Sequence, residues 1–219
     1  VYGTVNDRAV SGARPLYLSL SLILEEGLPL EIVDRVLISI GKAASVARVQ
    51  IVTGDTKVVP RGAVDGLFIN TSGVGQLIDP IPPGPAALRA GDELIVTGPI
   101  GQHGIAVMCA REELLLEPAP TSDSASLVQV AEVLREQLGS RVRAMRDATR
   151  GGVTAVLHEW AEASQHTLTI KQADIPVSPS VRGACELLGL DPLHVANEGT
   201  MIVAVEQGCT DIALAALHS

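Results

Sequence analysis

A proline-rich segment near the middle of the chain constrains the fold more than any other feature. Residues 79–92 read DPIPPGPAALRAGD, with four prolines and two glycines in 14 residues. Proline has no backbone N–H to donate and a fixed φ angle, so neither a helix nor a central strand is expected to continue through this segment. A chain of 219 residues has enough length for one large domain or two small ones. The proline-rich segment favours two small domains, with a boundary near residues 79–90.

Hydrophobic periodicity predicts alternating helices and strands on both sides of this segment. In the first half we predict helices over 1–12 and 29–47 and strands over 15–27, 49–55 and 64–78. In the second half we predict strands over 93–98, 142–147, 167–170 and 200–206, and helices over 103–115, 124–139, 151–164, 181–189 and the last residues. Such alternation indicates an α/β or α+β fold in each half.

Composition excludes several classes of function. The formal net charge of -9 argues against non-specific nucleic-acid binding, which depends on lysines and arginines that neutralise phosphates. Aromatic residues make up only 2%, so stacking of bases on aromatic side chains is not expected. No run of apolar residues approaches the ~18 that a membrane span needs, and no signal peptide opens the chain.

The three cysteines, Cys109, Cys185 and Cys209, are widely spaced and odd in number. Without a C-x-x-C pair, a disulfide framework or a closed zinc site is not expected. Reduced, buried thiols in a cytoplasmic protein are the simplest interpretation. The chain begins at Val1 within an apolar pattern, and we expect it to be an internal piece of a longer protein.

Two polar clusters lie in the first half. Asn6 and Asp7 interrupt an otherwise small and apolar helix, where an unpaired buried carboxylate would be costly; a solvated face is the alternative. The second cluster, Gly54-Asp55-Thr56-Lys57, follows an apolar strand. Its glycine allows close approach of a phosphate, its aspartate can hold magnesium and its lysine can offset phosphoryl charge. A simple turn into the next strand explains the same residues.

Two further clusters lie in the second half. RDATRGG, residues 146–152, joins a strand to a helix and is suited to binding an anion at the helix N-terminus. Asp147 or Thr149 could equally be the helix N-cap. Glu198, in ANEG ahead of the last strand, is either a proton acceptor or an exposed loop acid. No P-loop, G-x-G-x-x-G, H-E-x-x-H or G-x-S-x-G motif is present. The residues alone therefore indicate only anion sites suited to phosphate.

The ordered set of motifs is more specific than any single cluster. GTVNDRAVSGARPLYLSL, ILEEGLPLE, IVTGDTKVVPRGAVDGLFINT, MRDATRGGV, PVSPSVRGACELLGLDPL and ANEG together resemble the HypE family, the carbamoyl dehydratases of [NiFe]-hydrogenase maturation. That family is related to aminoimidazole ribonucleotide synthetase, selenophosphate synthetase and thiamine monophosphate kinase. The resemblance covers nearly the whole chain.

The resemblance implies a two-domain, PurM-like α/β fold. Residues 1–82 would form an ATP-binding domain that lacks its first strands and dimerises through its sheet into a barrel. Residues 83–219 would form the C-terminal α/β domain without its tail. The strand edges at 15–25 and 64–78 would need covering, in agreement with a homodimer.

The implied reaction is ATP-dependent dehydration of a carbamoyl group on the C-terminal cysteine, which gives a thiocyanate. HypF would donate the carbamoyl group and a HypC–HypD complex would accept the cyanide for iron. Two alternatives stay open. One is another ATP-dependent enzyme of the same superfamily, such as a selenophosphate synthetase, and the other is a non-catalytic maturation scaffold. None of the three cysteines occupies the tail position, so the 219 residues alone are expected to be inactive.

The resemblance also assigns roles to individual residues. Lys57 and Glu198 match the catalytic lysine and glutamate, and Asp7 and Asp55 match magnesium ligands. The residues implied to bind ATP, with or without the metal, are Asn6, Asp7, Gly54, Asp55, Thr56, Asp147, Arg150 and Gly151. Two positions depart from the family pattern, where GDHG is replaced by GQHG at Gln102 and NEGK by NEGT at Thr200.

Overall fold

The first part of the chain forms a three-stranded sheet with helices against one face. The structure is a computed structural model and describes residues 1–218. Its first elements are α1 (Tyr2–Val10), β1 (Ala13–Glu25), α2 (Leu30–Val46), β2 (Gln50–Val59) and β3 (Leu67–Leu77). The strand order is β2–β1–β3, with β1 parallel to β2 and antiparallel to β3. β1 is therefore the central strand, so the expectation that residues 15–25 form an edge is wrong.

The two faces of this first sheet differ because side chains alternate along a strand. Leu18 and Leu22 of β1 are buried on the face that the helices cover. Tyr17 and Ile23, on the other face, are exposed. Phe68 and Val74 of β3 pair with Ile23 and Tyr17 and are exposed as well, so this face is apolar and open.

Arg135 joins the proline-rich segment to the second part of the chain. Its guanidinium donates hydrogen bonds to the carbonyl oxygens of Ile78 and Pro80, although only 6% of the residue is exposed. Removal from water lowers the pKa of this buried group. The segment itself contains one short 3₁₀ helix, Pro85–Ala87. The boundary between residues 82 and 83 stays a prediction.

The second part of the chain is a three-stranded sheet with helices on both faces. Its elements are β4 (Glu93–Val96), α3 (Gln102–Arg111), α4 (Val128–Leu138), β5 (Val142–Asp147), α5 (Gly152–Ser164), α6 (Pro179–Leu188), β6 (Met201–Val205) and α7 (Thr210–Leu217). The order is β4–β6–β5, and β6 is antiparallel to both neighbours. All five residues of β6 are buried: Met201, Val203 and Val205 lie in one core cluster, and Ile202 and Ala204 in another.

Two predicted features of the backbone are wrong. Residues 167–170 form no strand, because a strand requires a paired neighbour and this segment has none within residues 1–218. β2 does not end at Asp55 but continues to Val59. A Cβ at Gly54 would lie 2.3 Å from the Leu20 carbonyl oxygen, so the glycine allows close approach of two strands rather than a turn.

No helix within residues 1–218 is both long enough and apolar enough to cross a lipid bilayer.

Candidate active site

Asn6 fastens α1 to the second part of the chain. Only 1% of the residue is exposed. Its side-chain amide donates to the carbonyl oxygens of Ala125 (3.0 Å) and Glu198 (3.3 Å), while its Oδ1 accepts from the Leu127 N–H (2.8 Å). Because all of these bonds are to backbone groups of other elements, Asn6 fixes where the next residue, Asp7, stands relative to Glu198.

Three carboxylates come together where α1 meets β5. Asp7 is exposed on α1, Glu198 is half-buried, and Asp147, at the end of β5, is 4% exposed. Burial raises the pKa of Asp147, and the negative charges of Asp7 and Glu198 raise it further. The Arg146 guanidinium, 3.8 Å from the Asp147 carboxylate, offsets part of this cost. The cluster therefore carries uncompensated negative charge.

The backbone around Glu198 is held from both sides. Asp123 accepts hydrogen bonds from the N–H groups of Glu198 (3.1 Å) and Gly199 (3.0 Å). A Cβ at position 199 would lie 1.8 Å from the Asp123 carbonyl oxygen, so only glycine fits. On the other side the fully buried Asn197 donates to the Ala148 and Val195 carbonyl oxygens and accepts from the Gly101 N–H (2.7 Å).

A cavity of about 350 Å³ opens beside Glu198. Its walls come from the start of α1, from α2, and from His103, Ser124 and Glu198. Residues from both parts of the chain therefore line one space, with the carboxylate of Glu198 in its wall. A position between two domains is typical of ligand sites.

The RDATRGG loop runs from the end of β5 to the start of α5. Gly151 and Gly152 have φ angles of 74° and 60°, which favour glycine, and a Cβ on Gly152 would lie 2.4 Å from the Leu193 carbonyl oxygen. Gly151 is the N-cap of α5, so the interpretation of Asp147 or Thr149 as the cap is wrong. No side chain caps this N-terminus, and Arg150 beside it is exposed. An uncapped helix N-terminus and an exposed arginine beside it are both suited to binding an anion.

The Gly54–Lys57 cluster lies elsewhere in the same chain. The register pairs Asp55 with Ser21 and Lys57 with Ile23, on the open face of the first sheet. Helix α1 packs on the opposite face, where the Thr4 hydroxyl is 2.6 Å from that of Thr71. The structure thus brings Asn6, Asp7, Asp147 and Glu198 together, but it does not bring Asp55 and Lys57 to them within one chain.

The residue types of the carboxylate cluster are those that could contribute ligands to a magnesium ion. Carboxylate oxygens are the ligands that Mg²⁺ prefers, and a cation would relieve the raised pKa of Asp147. Asp7 and Asp147 fit this role, while Asp55 is on a different face of the sheet. In the part of the chain that the structure describes, no group of three or more His, Cys, Asp or Glu residues is arranged so that it could hold a metal ion.

Comparison with known proteins identifies the family. The model of the AIR synthase related protein, N-terminal domain, matches residues 1–77, and that of the C-terminal domain matches residues 89–219. Carbamoyl dehydratase HypE of Escherichia coli (strain K12) is 52% identical over the whole chain. A crystal structure of a HypE–HypF complex superimposes with a TM-score of 0.96 at 44% identity, covering 99% of this chain and 71% of that one. The chain belongs to the HypE family of AIR synthase related proteins.

A second HypE structure, a complex with ATP, is 47% identical and has a TM-score of 0.96 over the full chain. The chain spans 65% of the length of the E. coli relative and 65% of the ATP-bound chain. The mixed α/β architecture with two domains related to AIR synthase is therefore as predicted. The residue assignments that the HypE family implies stay predictions.

One of the two departures from the family pattern has a structural explanation. Thr200 is 2% exposed and donates its hydroxyl to the Pro99 carbonyl oxygen (3.3 Å), which holds the loop that carries Gly101. Its backbone oxygen also accepts from the Ala148 N–H. Thr200 is therefore a packing and anchoring residue here. Nothing in the structure explains Gln102.

Sequence analysis missed three residues that build the site. Asp123 and Ser122 lie in a polar loop, TSDSAS, that has no periodicity and looks like any solvated connection. His103 has no metal-ligand spacing to another histidine, so the sequence carries no signal for it. No local pattern in the sequence links the residues before the predicted helix at 124–139 to Glu198. Asp123 nevertheless contacts Glu198 across 75 positions.

Proposed function

We propose that the full-length protein is an ATP-dependent carbamoyl dehydratase of [NiFe]-hydrogenase maturation. It converts a carbamoyl group on the sulfur of its C-terminal cysteine into a thiocyanate, the source of the cyanide ligand of iron. The observation that carries the proposal is the fixed Glu198 backbone beside a cavity between the two parts of the chain. The similarity to proteins named carbamoyl dehydratase supports the same reaction.

The chemistry explains why ATP is needed. An amide oxygen is a poor leaving group, and its conversion to a phosphate ester makes loss of that oxygen feasible. Phosphoryl transfer depends mainly on positioning and on stabilisation of charge. In this proposal Glu198 accepts a proton from the carbamoyl nitrogen, and Lys57 balances charge beside the transferring group.

The ATP phosphates lie in this proposal between the acidic cluster and the RDATRGG loop. Arg150 and the N–H groups at Gly151 would face phosphate oxygens at the N-terminus of α5. Asp7 and Asp55, with Asp147, would hold magnesium, which supplies positive charge to the phosphates. Gly54 and Thr56 would contribute from β2, and Asn6 through its hold on the Glu198 loop.

A homodimer would supply the residues that one chain leaves apart. The open face of the first sheet exposes apolar side chains, including Phe68 (52%) and Val74 (62%), and it also carries Asp55 and Lys57. Dimerisation through this sheet would cover the apolar face and place both residues at the interface. They would then serve a site shared between two chains.

The partners in this proposal follow the reaction. One HypE relative has been solved in a complex with HypF, which would donate the carbamoyl group here. A HypC–HypD complex would accept the cyanide. A cytoplasmic location is part of the same proposal.

The experiment uses the full-length protein with its tail carbamoylated, mixed with ATP and magnesium. Mass spectrometry of the C-terminal peptide should show ATP-dependent loss of one water. Lys57→Ala should slow this loss by about 10²–10³-fold, as is usual when one electrostatic stabiliser is removed. The control Lys42→Ala, at an exposed position of α2, should leave the rate unchanged. If the wild-type tail never loses water, the protein is not a dehydratase.

A further inference from the structure

We propose that Asp123 is a positioning residue for the proton acceptor Glu198. The proposal rests on the proposed function, in which Glu198 takes a proton from the carbamoyl nitrogen. Glu198 lies in the loop before β6, and a side chain on a loop is placed only as well as its backbone is held. A displacement of about 1 Å at a reacting group can cost about 10²-fold in rate. The groups that hold this loop therefore affect the reaction.

The Asp123 carboxylate holds the loop by two hydrogen bonds, one to each of its oxygens. Oδ1 accepts from the Glu198 N–H (3.1 Å), and Oδ2 accepts from the Gly199 N–H (3.0 Å). Within residues 1–218 neither N–H group makes another hydrogen bond. Two successive backbone donors thus depend on one side chain, and a backbone N–H that loses its partner inside a folded protein costs free energy.

The carbonyl group of Glu198 is held from the same side. The Asn6 amide donates to the carbonyl oxygens of Glu198 (3.3 Å) and Ala125 (3.0 Å), and its Oδ1 accepts from the Leu127 N–H (2.8 Å). Asn6 is therefore tied to the segment that begins at Asp123. The backbone of Glu198 is fixed at both its N–H and its carbonyl group, which leaves the side-chain torsions as the main freedom of its carboxylate.

Steric contact sets the distance between the two segments. A Cβ at position 199 would lie 1.8 Å from the Asp123 carbonyl oxygen and 3.2 Å from the Ala125 Cβ. The two backbones therefore touch at Gly199, where only glycine fits. The short side chain of Asp123 reaches both N–H groups because of this close approach.

Ser122 fixes Asp123 in turn. The Ser122 hydroxyl oxygen accepts from the Ser124 N–H (3.1 Å), which closes a turn around Asp123. The same hydroxyl is 2.8 Å from Nδ1 of His103, the second residue of α3. The turn is thus attached to a helix of the second part of the chain, so Asp123 is itself held while it holds Glu198.

The test uses full-length protein with a carbamoylated tail, mixed with ATP and magnesium in a single turnover. Asp123→Ala removes both hydrogen bonds, and thiocyanate should form about 10²-fold more slowly while the KM for ATP stays near the wild-type value. Asp123→Asn keeps the shape and one acceptor oxygen, so it should lose only about 10-fold. In both variants the amide hydrogens of Glu198 and Gly199 should exchange faster with solvent, as measured by mass spectrometry.

The matched control is Glu93→Ala. Oε2 of Glu93 accepts from the N–H groups of Gly208 (3.2 Å) and Thr210 (3.3 Å), so this carboxylate also holds two backbone donors, at the other end of β6. Both alanine substitutions should lower the Tm. Only Asp123→Ala should slow thiocyanate formation.

Three results overturn the proposal. One is a wild-type rate in Asp123→Ala, and another is an equal loss of rate in Glu93→Ala, which makes the effect one of general stability. The third is a rise in the KM for ATP that accounts for the whole loss, because Asp123 then acts on ATP binding. If wild type itself forms no thiocyanate, the proposed function fails. Unchanged amide exchange in Asp123→Ala would show separately that Asp123 does not hold the loop.

Discussion

The two sheets of this chain differ in whether their own chain covers both of their faces. All five residues of β6, at the centre of the second sheet, are buried between helices on both faces. In the first sheet, β2 is exposed along almost its whole length, and Val52 and Val58 are each 58% exposed. The second sheet is therefore covered on both faces by its own chain, whereas the first has an apolar face that its own chain leaves open. That face also carries Asp55 and Lys57, so under the proposed function the difference concerns catalysis as well as stability.

The largest expected effect tests whether the two sheets contribute to one site from different chains. Full-length Lys57→Ala and Glu198→Ala should each be nearly inactive. Mixed under conditions that exchange subunits, they should recover about a quarter of the wild-type rate, because half of the dimers are mixed and each has one intact site of two. Single-turnover thiocyanate formation measures the recovery.

The matched control mixes Glu198→Ala with the double variant Lys57→Ala/Glu198→Ala, which cannot form an intact site. If subunit exchange is demonstrated and activity does not return, Lys57 and Glu198 act within one chain. The difference between the two sheets then concerns stability alone.

A smaller effect compares apolar residues of the two regions. Leu134 of α4 is fully buried in the second core, while Val74 of β3, on the open face, is 62% exposed. Leu134→Ala should lower the free energy of unfolding by about 2–5 kcal/mol, and Val74→Ala by under about 1 kcal/mol. Urea unfolding of the full-length protein at low concentration measures both.

Raising the protein concentration sharpens this result. If a second copy covers the first sheet, the cost of Val74→Ala grows with concentration while that of Leu134→Ala does not. Equal costs at all concentrations would mean that the open face contributes nothing to assembly through this residue.

The smallest effect concerns Asp147, where the two regions meet. Its pKa is raised in the folded protein, so the unfolded chain loses this proton first as pH rises above the ordinary value of 3.8. Ionised Asp147 therefore costs stability at pH 7, and the cost is absent below pH 3.8. Asp147→Asn should raise the Tm at pH 7 and leave it unchanged at pH 3. Magnesium should raise the Tm of the wild type more than that of the variant, and equal shifts would exclude Asp147 as a ligand.

Much of the fold was predictable because hydrophobic periodicity is a local property. The amphipathic spacing of residues 29–47 predicted α2 to within one residue at each end, and VRAMRD predicted β5 without error. Residues 167–170 were mispredicted because strand pairing depends on a distant neighbour. The glycine and charges of Gly54–Lys57 favour a turn locally, yet pairing with β1 keeps the backbone extended through them.

The candidate site was predictable only as separate pieces. The residue types at Asp7, RDATRGG and Glu198 indicated anion chemistry, and the structure brings these pieces together around Asn6. The supporting contacts of Asp123 and Ser122 could not be predicted, because a hydrogen bond across 75 positions leaves no trace in local composition. The separation of Lys57 from Glu198 was equally invisible, since it depends on which face of the sheet each element covers.

Asn197 has a consequence for protein engineering. Its side chain links the Gly101 N–H, the Ala148 carbonyl oxygen and the Val195 carbonyl oxygen, so three loops converge on one buried amide. Grafting only the ANEG segment onto a new scaffold transfers Glu198 without the hydrogen bonds of Asn197 that position it. The smallest portable unit comprises the starts of α3 and α5 together with residues 195–199. Directed evolution of new substrates should accordingly keep Asn197 fixed and vary the cavity walls.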